Sequence, residues 1–304
     1  MAETALTVLS EKEVAIYLNG LDTTGMSAED KQALAMILAE DMGHSSLNIV
    51  PKPQQLKINK DTCQFYDGLG NSFDEAVGVM LHKMMTRGFW IKKSKTPICS
   101  SLDCRTGRIT LNEELFNAAK AIPGLLPANL AAYDFAMLAA LPVDEAQKLL
   151  TRSCKGCPLD AWGSAVGDDG GSRGGKACKE MRRVYLFQQN AVLPVKITLP
   201  PTSINVWDDY ISGRLTNRIT DLSAMVILRL APKSSGSFTW AVATPKLGAR
   251  LKPADIVQMA QMRAKFVDAW SREEVTADDY DTEPTDDVSA HDMGAAPGQE
   301  TVAY

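Results

Sequence analysis

The sequence predicts an α+β protein, and three features carry that prediction. Helical periodicity occurs near both ends of the chain, an Ala- and Leu-rich stretch lies in the middle, and short β-type runs follow Cys178. With 304 residues, 45% of them hydrophobic, the chain can bury a substantial core. We expect a helical region at 1–50, a main domain at 51–270 with a helical insertion at 105–150, and a disordered tail at 271–304.

The first elements follow from capping and periodicity. Ser27 has the pattern of a helix start, apolar residues recur at helical spacing after it, and Gly43 lies beyond the last turn. Residues 52–65 alternate weakly, as a strand does. Residues 71–85 carry an apolar stripe that indicates a helix, and residues 87–98 suggest a short basic and aromatic strand.

Pro and Gly residues separate the later predicted elements. Residues 111–151 contain three prolines, which favours two or three short helices. A final helix is predicted over 254–270, directly after Pro253, and no apolar periodicity follows it. Four short strands are expected before that helix, at residues 183–186, 193–199, 224–230 and 238–243.

Charge divides the sequence into two unequal parts. Residues 271–304 hold ten acids and one base, whereas residues 1–270 hold 31 bases and 27 acids. A body of about +4 therefore carries a tail of −9, although the net charge is −5. No apolar run is long enough for a membrane span, and the first residues do not resemble a signal peptide, so we expect a cytoplasmic protein.

The cysteines point to a metal. Cys154 and Cys157 have the Cys-x2-Cys spacing that lets two sulfurs face one ion, and Cys178 follows after a Gly-rich loop. The fourth ligand is expected to be Cys99 or Cys104, and the spacing does not decide between them. Zn²⁺ is favoured, and the alternatives are cysteines without a metal or an iron–sulfur cluster. Four thiolates leave no open coordination position, so the metal would be structural.

Basic and aromatic residues flank both cysteine stretches. Cations can follow the phosphates of a single strand while its bases stack on aromatic rings. This pattern predicts a nucleic-acid surface, although the same aromatics could instead be core residues of strands. The candidate binding residues are Arg87, Trp90, Lys92, Lys93, Arg173, Lys176, Lys179, Arg182, Arg183 and Tyr185.

No motif supports catalysis, and we predict that the protein is not an enzyme. The Gly-rich stretch 163–175 lacks the order of a phosphate-binding loop because Ala177 follows Lys176. No Gly-x-Ser-x-Gly elbow occurs, and Asp168-Asp169 in a Gly-rich loop is typical of a turn.

Four motifs together resemble a known family. They are P-x-C-S-S at 97–101, C-x2-C-P-x3-W-G-S at 154–164, G-K-A-C-K-x2-R-R at 175–183, and L-P-P-T-S at 199–203 followed by W-x2-Y at 207–210. The chain is similar in these motifs to single-stranded-DNA-binding proteins of bacteriophages and mobile elements, which are taken to have an OB-fold. The resemblance implies an OB-like β-barrel core with a zinc-binding loop. It also implies that Cys99 completes the ligand set with Cys154, Cys157 and Cys178.

The expected function is therefore sequence-independent coating of single-stranded DNA during phage replication or recombination. The acidic tail is expected to compete with DNA for the basic surface and to recruit replication or recombination proteins. A homo-oligomer on DNA is also anticipated. Two alternatives stay open: a nuclease or accessory subunit of a nucleic-acid enzyme, and a structural or host-takeover factor that binds proteins.

Overall fold

The computed structural model confirms the α+β class. It describes residues 10–11, 14–15, 18, 21, 23–43, 52–91, 94–130, 132–165, 175–189, 191, 193–235 and 238–279. Within these residues, no helix combines the length and hydropathy needed to cross a membrane.

Helices and strands are interspersed along the chain. The helices are α1 (Ala28–Gly43), α2 (Glu113–Lys120), α3 (Phe135–Ala139), α4 (Val143–Leu149), α5 (Ile204–Thr216) and α6 (Pro253–Arg272). The strands are β1 (Gln54–Asn59), β2 (Gln64–Tyr66), β3 (Ser72–Phe73), β4 (Glu75–Phe89), β5 (Cys99–Ser101), β6 (Thr106–Ile109), β7 (Thr151–Ser153), β8 (Lys179–Phe187), β9 (Val195–Leu199), β10 (Ala224–Ser235) and β11 (Phe238–Arg250).

The strands form one open and mostly antiparallel sheet. Its order is β3-β2-β1-β9-β8-β4-β5-β6-β7, and β10 joins it by pairing with β4 and β11. Strand β1 runs parallel to β9, while the other described pairs are antiparallel. The sheet curls until β2 approaches β4 and β10, but no ladder between the described strands closes it into a barrel.

Three clusters of buried side chains stabilise this arrangement. The largest fills the concave side of the curled sheet, where Trp207 of α5 is almost fully buried against residues from β1, β4, β8, β9 and β10. A second cluster lies beneath the short helices α2 to α4 and includes Phe116. A third joins α6 to the opposite side of β4 and β8 through Trp270 and Tyr185. Since both sides of β4 and β8 are covered, polar side chains there need internal partners.

The predicted helix at 71–85 is wrong, because most of this segment belongs to β4. Residues 76–81 lie between two clusters: Ala76 and Met80 face the first, and Val79 and Leu81 face the third. A strand that is buried on both sides has a continuous apolar run, which periodicity cannot separate from a helix. Gly78 supports the pairing, since a Cβ there would lie 2.7 Å from the Phe187 carbonyl oxygen of β8.

The disordered tail predicted from residue 271 begins too early. Residues 271 and 272 complete α6, and residues 277–279 form a short 3-10 helix against the sheet. Val275 and Asp279 are buried there. The remainder of the predicted tail, 280–304, and much of the predicted N-terminal helical region lie outside the described residues.

Candidate metal centre and nucleic-acid surface

Four cysteines from distant positions line one small cavity. Cys99 opens β5, Cys154 follows β7, Cys157 begins the next turn, and Cys178 precedes β8. We call this space the thiol cavity. It lies beside the second apolar cluster, against which Cys99, Cys157 and Cys178 pack.

Local backbone geometry brings the sulfurs together. Gly107 has no side chain between them: a Cβ there would lie 3.1 Å from Cys99 Sγ and 3.5 Å from Cys154 Sγ. The Cys157 N–H donates to the Cys154 carbonyl across a turn in which Gly156 has a φ of +75°, a conformation that favours glycine. The Cys178 N–H donates to the Leu159 carbonyl and thereby ties the last thiol to the same turn.

Burial favours the protonated form of the Cys99, Cys154 and Cys178 thiols. It raises the pKa of Cys99 and of Cys178 to about 12, and neighbouring cysteines add to both shifts. Burial also raises the pKa of Cys154. A bound divalent cation would reverse this balance, because a coordinated thiol is deprotonated.

Cys104 occupies a different environment. It does not line the thiol cavity, and its surroundings include Arg87, Glu180 and Arg182. Burial raises its pKa to about 11. Of the two candidates for a fourth ligand, Cys99 is therefore the one that lies with the other three thiols.

The donor chemistry of the thiol cavity fits a thiophilic metal. Four thiols suit Zn²⁺ or an iron–sulfur cluster. The buried Nε of Arg87, which also lines this cavity, has no hydrogen-bond partner among the described residues. Within the same residues, no group of three or more His, Cys, Asp or Glu side chains could hold a metal ion as it stands.

Three of the predicted nucleic-acid residues are inside the protein. Arg182 is 7% exposed, and Arg183 and Tyr185 are fully buried. Strand alternation places Arg182 on one side of β8 and the other two on the opposite side. Arg182 binds Asp208 of α5 through Nη2 at 2.6 Å and Glu180 through Nη1 at 2.8 Å. The expectation that these three residues form a surface is corrected, because both sides of β8 are covered.

Arg183 and Tyr185 belong to a buried network that we call the C-terminal clamp, formed by Arg183, Tyr185, Lys196, Glu273 and Asp279. Arg183 Nη2 lies 2.8 Å from Asp279 Oδ2, and both side chains are fully buried. Lys196 Nζ lies 2.6 Å from Glu273 Oε1 and 3.3 Å from Asp279 Oδ1. Tyr185 Oη donates to Glu273 Oε2 at 2.8 Å. The clamp thus fastens residues 273–279 to β8 and β9.

The other predicted nucleic-acid residues have mixed surroundings. Arg87 and Lys176 both form ion pairs with Asp160, and Lys176 remains partly exposed. Lys179 is half-buried, and the desolvation lowers its pKa. The ring of Trp90 lies against the bare backbone of Gly88. Lys92, Lys93 and Arg173 lie outside the described residues.

Sequence reasoning missed the most exposed aromatic ring near the thiol cavity. Trp162 is 69% exposed and lies in residues 154–165, which we call the metal loop. The Gly163 N–H donates to the Gly175 carbonyl at 2.7 Å, so Trp162 lies next to the segment that carries Lys176. The position of Trp162 within the Cys-x2-Cys-Pro motif was a signal that could have identified it.

Exposed cations occur in the metal loop and in the adjacent residues 105–108. Lys155 lies between two of the cavity cysteines, and the Cys154 N–H donates to the carbonyl of Arg105 at 2.8 Å. Arg105, Arg108 and Lys155 are all exposed. These three cations and the Trp162 ring form what we call the loop surface.

No family model, curated protein or solved structure matches the chain.

Proposed function

We propose that the protein binds single-stranded DNA without sequence preference and coats it during phage replication or recombination. The observation that carries this proposal is the exposed Trp162 ring on the metal loop, which also carries the exposed Lys155 and two cavity cysteines. The resemblance of the chain's motifs to those of phage single-stranded-DNA-binding proteins supports the same function. The curled, partly open sheet is compatible with an OB-like core.

The loop surface has the two kinds of group that a single strand requires. Arg105, Arg108 and Lys155 can neutralise phosphates, which releases condensed counterions and makes binding sensitive to salt. The indole of Trp162 offers a stacking surface to any base, worth roughly 1–3 kcal/mol per stacked base. Because neither interaction reads base edges, binding should depend little on sequence.

A structural zinc ion is part of the proposal. Cys99, Cys154, Cys157 and Cys178 would hold it, and it would join β5, the metal loop and the start of β8. Its contribution would be to fix the loop surface in one conformation. Four thiolates would fill its coordination sphere, so we assign it no catalytic step.

Titration of fluorescent oligo-dT at several salt concentrations tests the DNA-binding proposal. Replacing Arg105, Arg108 and Lys155 by Gln should reduce the salt slope by up to about 2, because each phosphate contact contributes roughly 0.7. The matched control replaces Lys233, Lys246 and Arg250, exposed cations of β10 and β11, for the same change in charge. An equal effect of both triple variants would contradict the assigned surface.

Two further outcomes of that titration would favour the alternative functions. Absence of salt-sensitive oligonucleotide binding would support a protein-binding factor. Degradation of the oligonucleotide in the presence of Mg²⁺ would support a nuclease.

Elemental analysis tests the metal. We expect one zinc per chain. It should be lost in Cys99→Ser and retained in Cys104→Ser, because Cys99 lines the thiol cavity and Cys104 does not. If the analysis finds iron and the protein absorbs visible light, the bound group is an iron–sulfur cluster and not zinc. Loss of metal in Cys104→Ser alone would reassign the fourth ligand.

The proposal extends to partners and compartment. Residues 280–304 contain six acids and no Lys or Arg, a composition suited to binding basic replication or recombination proteins. Reduced thiols able to bind metal are typical of a cytoplasm, so we place the protein in the cytoplasm of the host cell. Neighbouring copies on one DNA strand would form the homo-oligomer.

A further inference from the structure

Arg87 of β4 is connected to each segment that supplies a cavity cysteine. In the sheet register it is opposite Ser101 of β5, two residues after Cys99, and opposite Glu180 of β8, two residues after Cys178. Its Nη1 lies 2.9 Å from Oδ2 of Asp160, in the metal loop. Arg87 therefore joins three separate parts of the chain around the thiol cavity: β5 by backbone pairing, and the metal loop and β8 through its side chain.

The guanidinium group of Arg87 is held in a defined orientation. Nη1 binds Asp160, and Nη2 lies 2.7 Å from Glu180 Oε2. The side chain is 14% exposed and lines the thiol cavity. Its Nε is buried without a hydrogen-bond partner among the described residues. An unsatisfied buried donor costs about 1–3 kcal/mol, so this N–H requires an explanation.

The ion pairs around this guanidinium leave no net charge for the thiols. Lys176 Nζ lies 3.0 Å from Asp160, and Arg182 Nη1 lies 2.8 Å from Glu180. Arg182 also binds Asp208 at 2.6 Å. The three cations and three carboxylates therefore balance, and the Nε–H donor is what this side chain offers to the cavity.

A zinc ion with four thiolates carries a charge of about −2, which is costly to bury without compensation. Residues that donate hydrogen bonds to metal ligands orient them and adjust their basicity. Hydrogen bonds donated to the sulfurs supply part of that compensation, and the buried Nε–H of Arg87, a side chain that lines the same cavity, has no partner among the described residues.

We propose that Arg87 is a positioning residue of the metal site, whose Nε–H donates to a metal-bound thiolate while its Nη groups fix the metal loop and β8. This inference rests on the proposed zinc site and adds a residue that the cysteine motif does not contain.

Cobalt binding provides the test. Co²⁺ affinity is measured by competition with a chromophoric chelator, and thiolate-to-cobalt charge transfer is recorded by absorption. Arg87→Gln should weaken Co²⁺ binding by about 10–100-fold, the range found for residues that support metal ligands, and should shift the charge-transfer band. Arg87→Lys keeps the charge without the planar guanidinium and should give an intermediate affinity.

The matched control is Arg229→Gln. Arg229 of β10 also binds a carboxylate of the adjacent strand, Glu75, at 2.6 Å, but it does not line the cavity. Arg229→Gln should leave the Co²⁺ affinity and the charge-transfer band unchanged. If Arg87→Gln does not fold, Asp160→Asn is used instead; it releases Nη1 while retaining the cation, and a several-fold loss of affinity is expected.

The outcomes separate this inference from the proposed function. The role of Arg87 would be overturned if folded Arg87→Gln kept the wild-type Co²⁺ affinity and absorption band. If that variant does not fold, the same result in Asp160→Asn would overturn it. The zinc site would stay in place in either case. Failure of the wild-type protein to bind either Co²⁺ or Zn²⁺ would overturn both.

Discussion

The C-terminal clamp and the loop surface both contain cations from basic stretches of the sequence, but the clamp cations are buried and the loop-surface cations are exposed. In the clamp, Arg183 and Lys196 are buried and bound to Glu273 and Asp279, carboxylates that follow them by 77 to 96 residues. On the loop surface, cations such as Lys155 are exposed. The local density of Lys and Arg therefore does not distinguish a structural cation from one available to a ligand.

The difference also separates stability from binding. A buried ion pair becomes strongly unfavourable when one partner is removed, because the remaining charge has no compensation. Exposed cations contribute little to folding, and substitutions there usually change stability by less than about 0.5 kcal/mol. Mutations in the clamp should thus affect folding, whereas those on the loop surface should affect DNA affinity.

The largest effect is expected from removing the carboxylates of the clamp. A chain ending at Arg272 leaves Arg183 and Lys196 without partners, and we expect it to lose at least about 3–5 kcal/mol of unfolding free energy. Urea denaturation measures this loss. A chain ending at Asp279 retains the described contacts of the clamp and should unfold like the full protein. Equal stability of the two truncated chains would show that the clamp does not stabilise the fold.

The next effect concerns the loop surface alone. Trp162→Ala should weaken oligo-dT binding by roughly 1–3 kcal/mol, because one stacking surface is lost. Its urea midpoint should remain close to that of the wild type. Leu215→Ala is the control, since Leu215 of α5 has a similar exposure of 67%. If both variants bound DNA like the wild type, Trp162 would not be a stacking residue.

A pH titration of stability sharpens the contrast further. Burial alone would raise the pKa of Asp279, but the charges of Arg183 and Lys196 outweigh it, and the pKa is lowered. The stability contributed by this carboxylate is therefore present above its unfolded pKa of about 3.9 and is lost as the pH falls through the lower folded value. Unfolding measured between pH 5 and 2 should show a smaller acid-induced loss in Asp279→Asn than in the wild type.

The smallest effect is expected at the exposed edge of the same C-terminal segment. Lys57 of β1 binds Asp278 at 2.9 Å, but the Asp278 side chain is 68% exposed. Such pairs contribute about 0.2–1 kcal/mol. Lys57→Gln should therefore lower the unfolding free energy by no more than this amount in a urea titration. A loss comparable to that of the shorter truncation would extend the clamp to β1.

The parts that the sequence predicted well were those with local signals. Helix α6 follows from Pro253 and its apolar stripe, and the Cys-x2-Cys turn follows from spacing and Gly156. The burial of Arg183 depends on Asp279, a contact across 96 residues that no local pattern contains. Likewise, only the folded chain brings Cys99 beside Cys154 and leaves Cys104 apart.

The parallel pairing of β1 with β9 has a consequence for synthesis on the ribosome. Gln54 is opposite Val195, so β1 must wait for about 140 further residues before this partner exists. At about 5–20 residues per second, that interval lasts roughly 7–30 s. Throughout it, the β1–β2 hairpin presents an unpaired edge at which nascent chains can associate. Chaperone dependence of this protein should therefore arise early in translation, before the second half of the sheet has been made.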